Sequence, residues 1–143
     1  MTFLVERLTE LRRHVVHLRE LRPRVTGAAA LQQDLSLHND VLFSLLAVCQ
    51  LVIDIAGELS TRRGLKFEDY TQAVRNLAAF TEVPATTVTD LAKLPGFRNV
   101  LMHEYVALDL SRAVEAMDRL DAVEALVRIV AAMESPPGAP TSR

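Results

Sequence analysis

The chain has 143 residues, a length typical of one domain, and half of them are hydrophobic, enough for a core without disulfides or metal. Its formal net charge of −2 argues against an extended basic surface for nucleic acid, although a small RNA site stays compatible with it. The single cysteine, Cys49, excludes an intramolecular disulfide and favours a reducing compartment. Because no basic segment followed by a long apolar stretch opens the sequence, we expect a cytoplasmic protein.

Hydrophobic residues recur at three- and four-residue steps along most of the chain, which predicts an all-α bundle of about five helices. Pro23 is predicted to end the first helix, and Asp34 and Asp109 to cap two later ones. The pair Pro95-Gly96 is predicted to end one helix and let the next begin. In chain order, the predicted helices span residues 3–22, 31–59, 70–81, 88–94, 97–107 and 110–133.

The predicted domain boundary lies close to the C-terminus. Residues 1–134 are assigned to one helical domain, because helical patterns follow one another through this whole range. Residues 135–143 are rich in proline and small residues and cannot form a packed element. We therefore predict a disordered C-terminal tail over 135–143.

The helix predicted over residues 31–59 is apolar on more than one side, which is typical of a helix at the centre of a bundle. Its most apolar run is too short to cross a bilayer comfortably and is interrupted by Ser44, Gln50 and Asp54. Cys49 lies in that run and is interpreted as a buried thiol. Asp54 is interpreted as an ion-pair partner, with Arg98 as the candidate, rather than as a metal ligand.

Two histidines of the first helix, His14 and His17, lie three residues apart and could in principle share a metal ion. No carboxylate or cysteine partner stands out beside them, so we interpret them as part of a solvated helix face. The spacing of a di-metal bundle and that of a zinc site are both missing from the sequence, and no metal site is predicted.

Polar side chains of several kinds gather in one short stretch late in the chain. If residues from 97 onward are helical, each residue turns the chain by about 100°, and Arg98, Asn99, His103 and Tyr105 then share one side. Apolar side chains occupy the opposite side and would face the core. The helix therefore presents guanidinium, amide, imidazole and phenol groups together.

The spacing of these residues resembles the Arg-x-x-x-x-His-x-Tyr signature of the HEPN superfamily. The likeness is greatest to the HepT-like toxins, in which Arg-Asn opens the motif. The resemblance implies a HEPN-type helical bundle, a two-fold homodimer and a ribonuclease toxin with Arg98 and His103 as catalytic residues. The matching segment is Arg98-Asn99-Val100-Leu101-Met102-His103-Glu104-Tyr105.

These residue types suit RNA cleavage without a metal or cofactor. The reaction needs a base for the ribose 2′-hydroxyl, an acid for the departing 5′-oxygen and a cation for the phosphorane. Histidine exchanges protons near neutral pH, and the planar guanidinium of Arg98 suits two phosphate oxygens. Asn99 lies one turn before His103 and could hold the imidazole or a phosphate oxygen. One histidine cannot easily be acid and base at once, so a homodimer with two Arg98–His103 pairs would supply both.

The resemblance also implies a partner and a modification. HepT-like toxins act with an MntA-like nucleotidyltransferase antitoxin, which transfers AMP from ATP to the motif tyrosine, here Tyr105. Added AMP would bring bulk and negative charge beside Arg98 and His103. We expect RNA as the substrate, and neither DNA nor a membrane as a partner.

Other interpretations of the same residues stay open. Arg98 could pair only with Asp54, His103 could be a satisfied core histidine, and Tyr105 could be an interface aromatic residue. The chain could also be a HEPN binding module that presents RNA or a substrate to a nucleotidyltransferase without cleaving it. A structural dimerisation bundle without any site is a further alternative.

Overall fold

The computed structural model describes residues 2–135, which form eight α-helices and two short 3-10 helices without any strand. The predicted all-α class is therefore confirmed over this range. The 3-10 helices follow α1 and α4 directly and span Arg22–Arg24 and Asn76–Ala79. The α-helices are α1 (Phe3–Leu21), α2 (Ala28–Gln33), α3 (Leu35–Arg62), α4 (Tyr70–Arg75), α5 (Ala85–Leu91), α6 (Leu94–His103), α7 (Leu110–Met117) and α8 (Asp121–Glu134).

The structure contains more helices than predicted, because two of the long predicted helices are each divided into two. At Asp34 the backbone is extended (φ −121°, ψ 101°), so α2 ends there and α3 begins. The Asp34 carboxylate accepts a hydrogen bond from the amide of Leu37 at 3.1 Å, which confirms the predicted cap. The last predicted helix is divided at Asp118, whose carboxylate accepts a hydrogen bond from Arg22 Nε at 2.6 Å.

Helix α3 lies at the centre of the bundle, as predicted. It packs most extensively against α1 and also contacts α2, α4, α6 and α7. Within residues 2–135 it is the one helix long and apolar enough to cross a bilayer, and half of its most apolar window is buried in the protein. Burial on several sides is what a core helix requires, so the apolar run of α3 is explained by packing.

The interface between α1 and α3 contains two pairs of polar side chains. His14 Nδ1 lies 3.0 Å from Ser44 Oγ, and His17 Nε2 lies 3.0 Å from Asp40 Oδ1. The His14 side chain is only 21% exposed. The expected solvated face is therefore wrong for His14, which pairs with a buried serine of the core helix.

The predicted disordered tail lies almost entirely outside the described residues. Ser135 is the last described residue, and its hydroxyl donates to the carbonyl oxygen of Ala131 at 3.2 Å. Ser135 therefore belongs to the end of α8. The structure describes none of residues 136–143.

The reactivity of Cys49 tests whether its side chain is buried in the core. The side chain is buried in α3, and this burial raises the pKa of its thiol to about 12. We expect iodoacetamide to leave native Cys49 unmodified at about pH 8 and to modify it fully in guanidinium chloride, because only the thiolate reacts. Intact mass spectrometry measures both results. Rapid modification of the native protein would show that Cys49 is exposed to solvent.

The environment of His14 predicts a pH dependence of stability. Burial lowers the pKa of His14 below 6.5, with smaller contributions from Arg13 and His17, while Glu10 acts in the opposite direction. The unfolded chain therefore binds this proton more readily than the folded protein. The stabilisation from neutral His14 is present above about pH 6.5 and is lost as the pH falls through the range between the unfolded and folded pKa values.

We expect the melting temperature of the wild type to fall between about pH 7.5 and pH 5.5, and His14→Gln to reduce that fall. Differential scanning fluorimetry at both pH values measures the difference. An equal fall in the two proteins would show that His14 does not contribute.

Candidate functional site

Helix α6 carries the motif, but its ends differ from the prediction. It begins at Leu94, with Pro95 in its first turn, where a missing backbone N–H costs no helical hydrogen bond. Pro95 therefore opens the helix, whereas Pro95-Gly96 was expected to precede it. Phe97 and Leu101 are buried in the core, as predicted, and fix α6 against α3.

Arg98 is half-buried between α3, α4 and α6, and its guanidinium is held by three neighbours. Its Nε donates to Gln50 Oε1 at 2.6 Å, and its Nη1 donates to Asn99 Oδ1 at 3.1 Å. The guanidinium carbon lies 5.4 Å from the centre of the Tyr70 ring, within the range of a cation–π contact. Arg98 is thus oriented, while its Nη2 group and part of Nη1 have no partner among the described residues.

The predicted direct ion pair between Arg98 and Asp54 is wrong, because Gln50 lies between the two. The Gln50 amide donates from Nε2 to Asp54 Oδ1 at 2.9 Å, while its Oε1 accepts from Arg98. The nearest charged partner of Asp54 within residues 2–135 is Arg7, with 4.0 Å between Oδ2 and Nε. Asp54 therefore reaches Arg98 through a neutral amide.

His103 is exposed in the last turn of α6, which excludes the interpretation of a satisfied core histidine. Asn99 precedes it by four residues, so the two side chains leave the same face of the helix. The Asn99 oxygen accepts from Arg98, however, and no hydrogen bond joins Asn99 to His103 among the described residues. The imidazole is therefore free to meet a ligand.

Tyr105 lies outside the motif helix, contrary to the prediction. Helix α6 ends at His103, and Glu104 leaves helical geometry with φ −130° and ψ 26°. Helical spacing therefore does not place Tyr105 on the same side as Arg98. Its side chain is 60% exposed and lines a groove of about 510 Å³ together with Leu35 and Val106, both exposed.

Sequence reasoning missed two residues of this site, Gln50 and Tyr70. Gln50 had one signal, because it interrupts the apolar run of the core helix one turn before Asp54. A polar side chain in such a run needs a partner, but the sequence alone does not say which one. Among the described residues, no group of three His, Cys, Asp or Glu side chains could hold a metal ion.

Solved structures show what this fold is similar to. The tri-AMPylated HEPN toxin of Shewanella oneidensis, in complex with its MNT antitoxin, superposes with a TM-score of 0.78 at 21% identity, over 92% of this chain and 99% of that one. A crystal structure of a toxin–antitoxin with AMP-PNP has the same TM-score at 20% identity, over 90% and 97% of the two chains. The HEPN-type fold expected from the motif is thereby confirmed.

Sequence comparison identifies the family as well as the fold. The family model described as Ribonuclease HepT-like matches residues 11–132, which include Gln50, Asp54 and the whole motif. The mRNA nuclease HepT of Shewanella oneidensis is 26% identical over 103 residues, 71% of this chain and 77% of that protein. Because the family match spans most of the chain, this protein belongs to the HepT-like ribonuclease family.

Proposed function

We propose that this protein is a metal-independent endoribonuclease toxin of a HepT/MntA-type toxin–antitoxin pair. The observation that carries the proposal is that Arg98 is held in one orientation and that His103 is exposed. Arg98 is oriented by Gln50 and Asn99 with part of its guanidinium free, and His103 is exposed on the same helix. Family membership supports the ribonuclease class.

The chemistry follows from these two groups. A base removes the proton of a ribose 2′-hydroxyl, and the 2′-oxygen attacks the adjacent phosphorus. The bond from phosphorus to the 5′-oxygen breaks, which leaves a 2′,3′-cyclic phosphate and a 5′-hydroxyl protonated by an acid. Arg98 stabilises the negative charge that develops on the phosphorane, and His103 transfers the protons.

A two-fold homodimer completes this mechanism. The base and the acid act on opposite sides of the phosphorus, and each chain brings one exposed motif histidine, His103. Two Arg98–His103 pairs facing one cleft would supply a base from one subunit and an acid from the other. The half-buried position of Arg98 would place its charge at the floor of such a cleft.

Tyr105 is the proposed site at which the antitoxin inactivates the nuclease by transferring AMP. Its exposed phenol oxygen would attack the α-phosphorus of ATP held by the nucleotidyltransferase antitoxin, which forms a phosphodiester and releases pyrophosphate. The product places a negative charge two residues from His103, where it repels RNA. The tri-AMPylated toxin of Shewanella oneidensis supports this part of the proposal. Both partners would meet in the cytoplasm.

The second candidate is a HEPN module that presents RNA or a substrate to the nucleotidyltransferase without cleaving it. The net charge of −2 favours this alternative in the form that presents a substrate other than RNA, because proteins that hold long RNA usually carry a basic surface. The two candidates differ in whether the isolated protein cuts RNA.

Cleavage of total cellular RNA in EDTA tests the nuclease proposal. The protein is expressed without a partner, and intact mass confirms that Tyr105 is unmodified. We expect the wild type to cut RNA and both Arg98→Ala and His103→Ala to lose at least about a hundredfold in rate, because each removes one chemical role. Arg75→Ala, which alters an exposed arginine of α4, is the matched control and should cut like the wild type.

Circular dichroism must show that all four proteins are folded. If the unmodified wild type leaves every RNA intact, the nuclease proposal fails and the binding module takes its place. If EDTA stops a cleavage that Mg²⁺ restores, the metal-independent mechanism is wrong.

Modification of Tyr105 is tested with the nucleotidyltransferase antitoxin and ATP. We expect the intact mass of the wild type to rise by one or more AMP groups and its RNA cleavage to fall by at least about tenfold, because the added phosphate competes for the motif. Tyr105→Phe should gain no mass and stay active. The chain has only two tyrosines, so Tyr70→Phe is the matched control and should still be modified. A mass gain on Tyr105→Phe would assign the modification elsewhere.

A further inference from the structure

We propose that Gln50 is a positioning residue for RNA cleavage, which holds Arg98 in place while keeping the charge of Asp54 away from it. This inference rests on the proposed nuclease function and assigns Gln50 a role in the same site. It is carried by a continuous series of side-chain contacts from α6 through α3 to α1. The series runs from Arg98 to Gln50 at 2.6 Å, from Gln50 to Asp54 at 2.9 Å, and from Asp54 to Arg7 at 4.0 Å.

The orientation of the Gln50 amide is determined by its two neighbours. A guanidinium has only donors, and an ionised carboxylate has only acceptors. The carbonyl oxygen of Gln50 must therefore face Arg98, and its NH₂ group must face Asp54. The reversed amide would set donor against donor and acceptor against acceptor. Asp54 thus acts on Arg98 indirectly, by holding the amide in the one orientation that binds Nε.

The bond to Nε selects which part of Arg98 meets a ligand. Nε donates to Gln50 and one hydrogen of Nη1 to Asn99, so the Nη2 group and the second hydrogen of Nη1 have no partner among the described residues. Three of the five guanidinium hydrogens are therefore left for phosphate oxygens. The Tyr70 ring further restricts the side chain. An arginine ordered before RNA binds loses less rotamer freedom in the transition state.

The absence of charge on Gln50 is as important for phosphate binding by Arg98 as its carbonyl oxygen is for orienting Arg98. A carboxylate in direct contact with Arg98 would neutralise the guanidinium and compete with the phosphate for its donors. Gln50 offers an oxygen acceptor without a charge, and Asp54 instead faces Arg7 on the other side. Removal of the oxygen and addition of a charge at position 50 should therefore have different kinetic effects.

Cleavage assays separate these effects. They use a fluorescent RNA oligonucleotide that the wild type cuts, under single-turnover and steady-state conditions. We expect Gln50→Leu, which keeps the volume and removes the acceptor, to lower kcat about tenfold to a hundredfold with little change in KM. Gln50→Glu retains an acceptor but adds a charge, so KM should rise more than kcat falls. Gln33→Leu on α2 alters an exposed glutamine and should match the wild type.

A double-mutant cycle distinguishes positioning from a general effect on the fold. Because Gln50 acts through Arg98, adding Gln50→Leu to Arg98→Ala should change the residual single-turnover rate by less than about twofold. The NMR signal of Arg98 Nε–H, assigned by its loss in Arg98→Ala, should exchange slowly in the wild type and rapidly in Gln50→Leu. Should Gln50→Leu not fold, Gln50→Met serves the same purpose.

The two proposals fail in different ways. If the wild type cuts RNA, Arg98→Ala is inactive and a folded Gln50→Leu keeps wild-type kinetics, the positioning role is wrong and the nuclease stands. Full additivity of the two substitutions would also overturn the positioning role. If the wild type cuts no RNA, the nuclease proposal fails, and the positioning role fails with it.

Discussion

Helix α3 is surrounded by other helices on most sides, and a polar side chain on its buried faces must find a partner inside the protein. Ser44 pairs with His14 of α1, Gln50 with Arg98 of α6, and Asp54 with Gln50. Among the described residues, no buried side-chain nitrogen or oxygen lacks a hydrogen-bond partner. The packing of the core and the orientation of the motif arginine therefore share one physical cause.

Helix α6 joins this core to the surface over only ten residues. Its buried side chains fix the helix, and Arg98 lies half-buried at its middle, where its contacts order it. The helix then ends at His103, so the imidazole and the phenol of Tyr105 face solvent. A charge that must stay in place is anchored in the core, while the groups proposed to meet RNA and the antitoxin stay accessible.

The neutral amide between Asp54 and Arg98 reconciles two requirements. An arginine beside the core is held best by hydrogen bonds, but a direct carboxylate would lower its attraction for a phosphate. Gln50 provides the hydrogen bond, and Asp54 balances Arg7 instead. This arrangement also fits the small negative charge of the chain, because one partly free guanidinium suits the proposed contact with a single phosphate rather than with a long RNA.

The sequence by itself determined the all-α class, the central helix, the Asp34 and Asp109 caps and the burial of Cys49. These features follow from hydrophobic periodicity and from capping within a few residues, which are local properties. The motif also lies in neighbouring residues, so its residue types and spacing, together with the all-helical pattern, were enough to indicate the family. The partner of Arg98 and the exposure of Tyr105 were decided by the tertiary structure. Gln50 lies 48 residues before Arg98, and only the packing of α6 on α3 selects it over Asp54 one turn further along. Tyr105 lies outside the helix because α6 ends two residues before it, and helix ends depend on the packing around them as well as on local sequence.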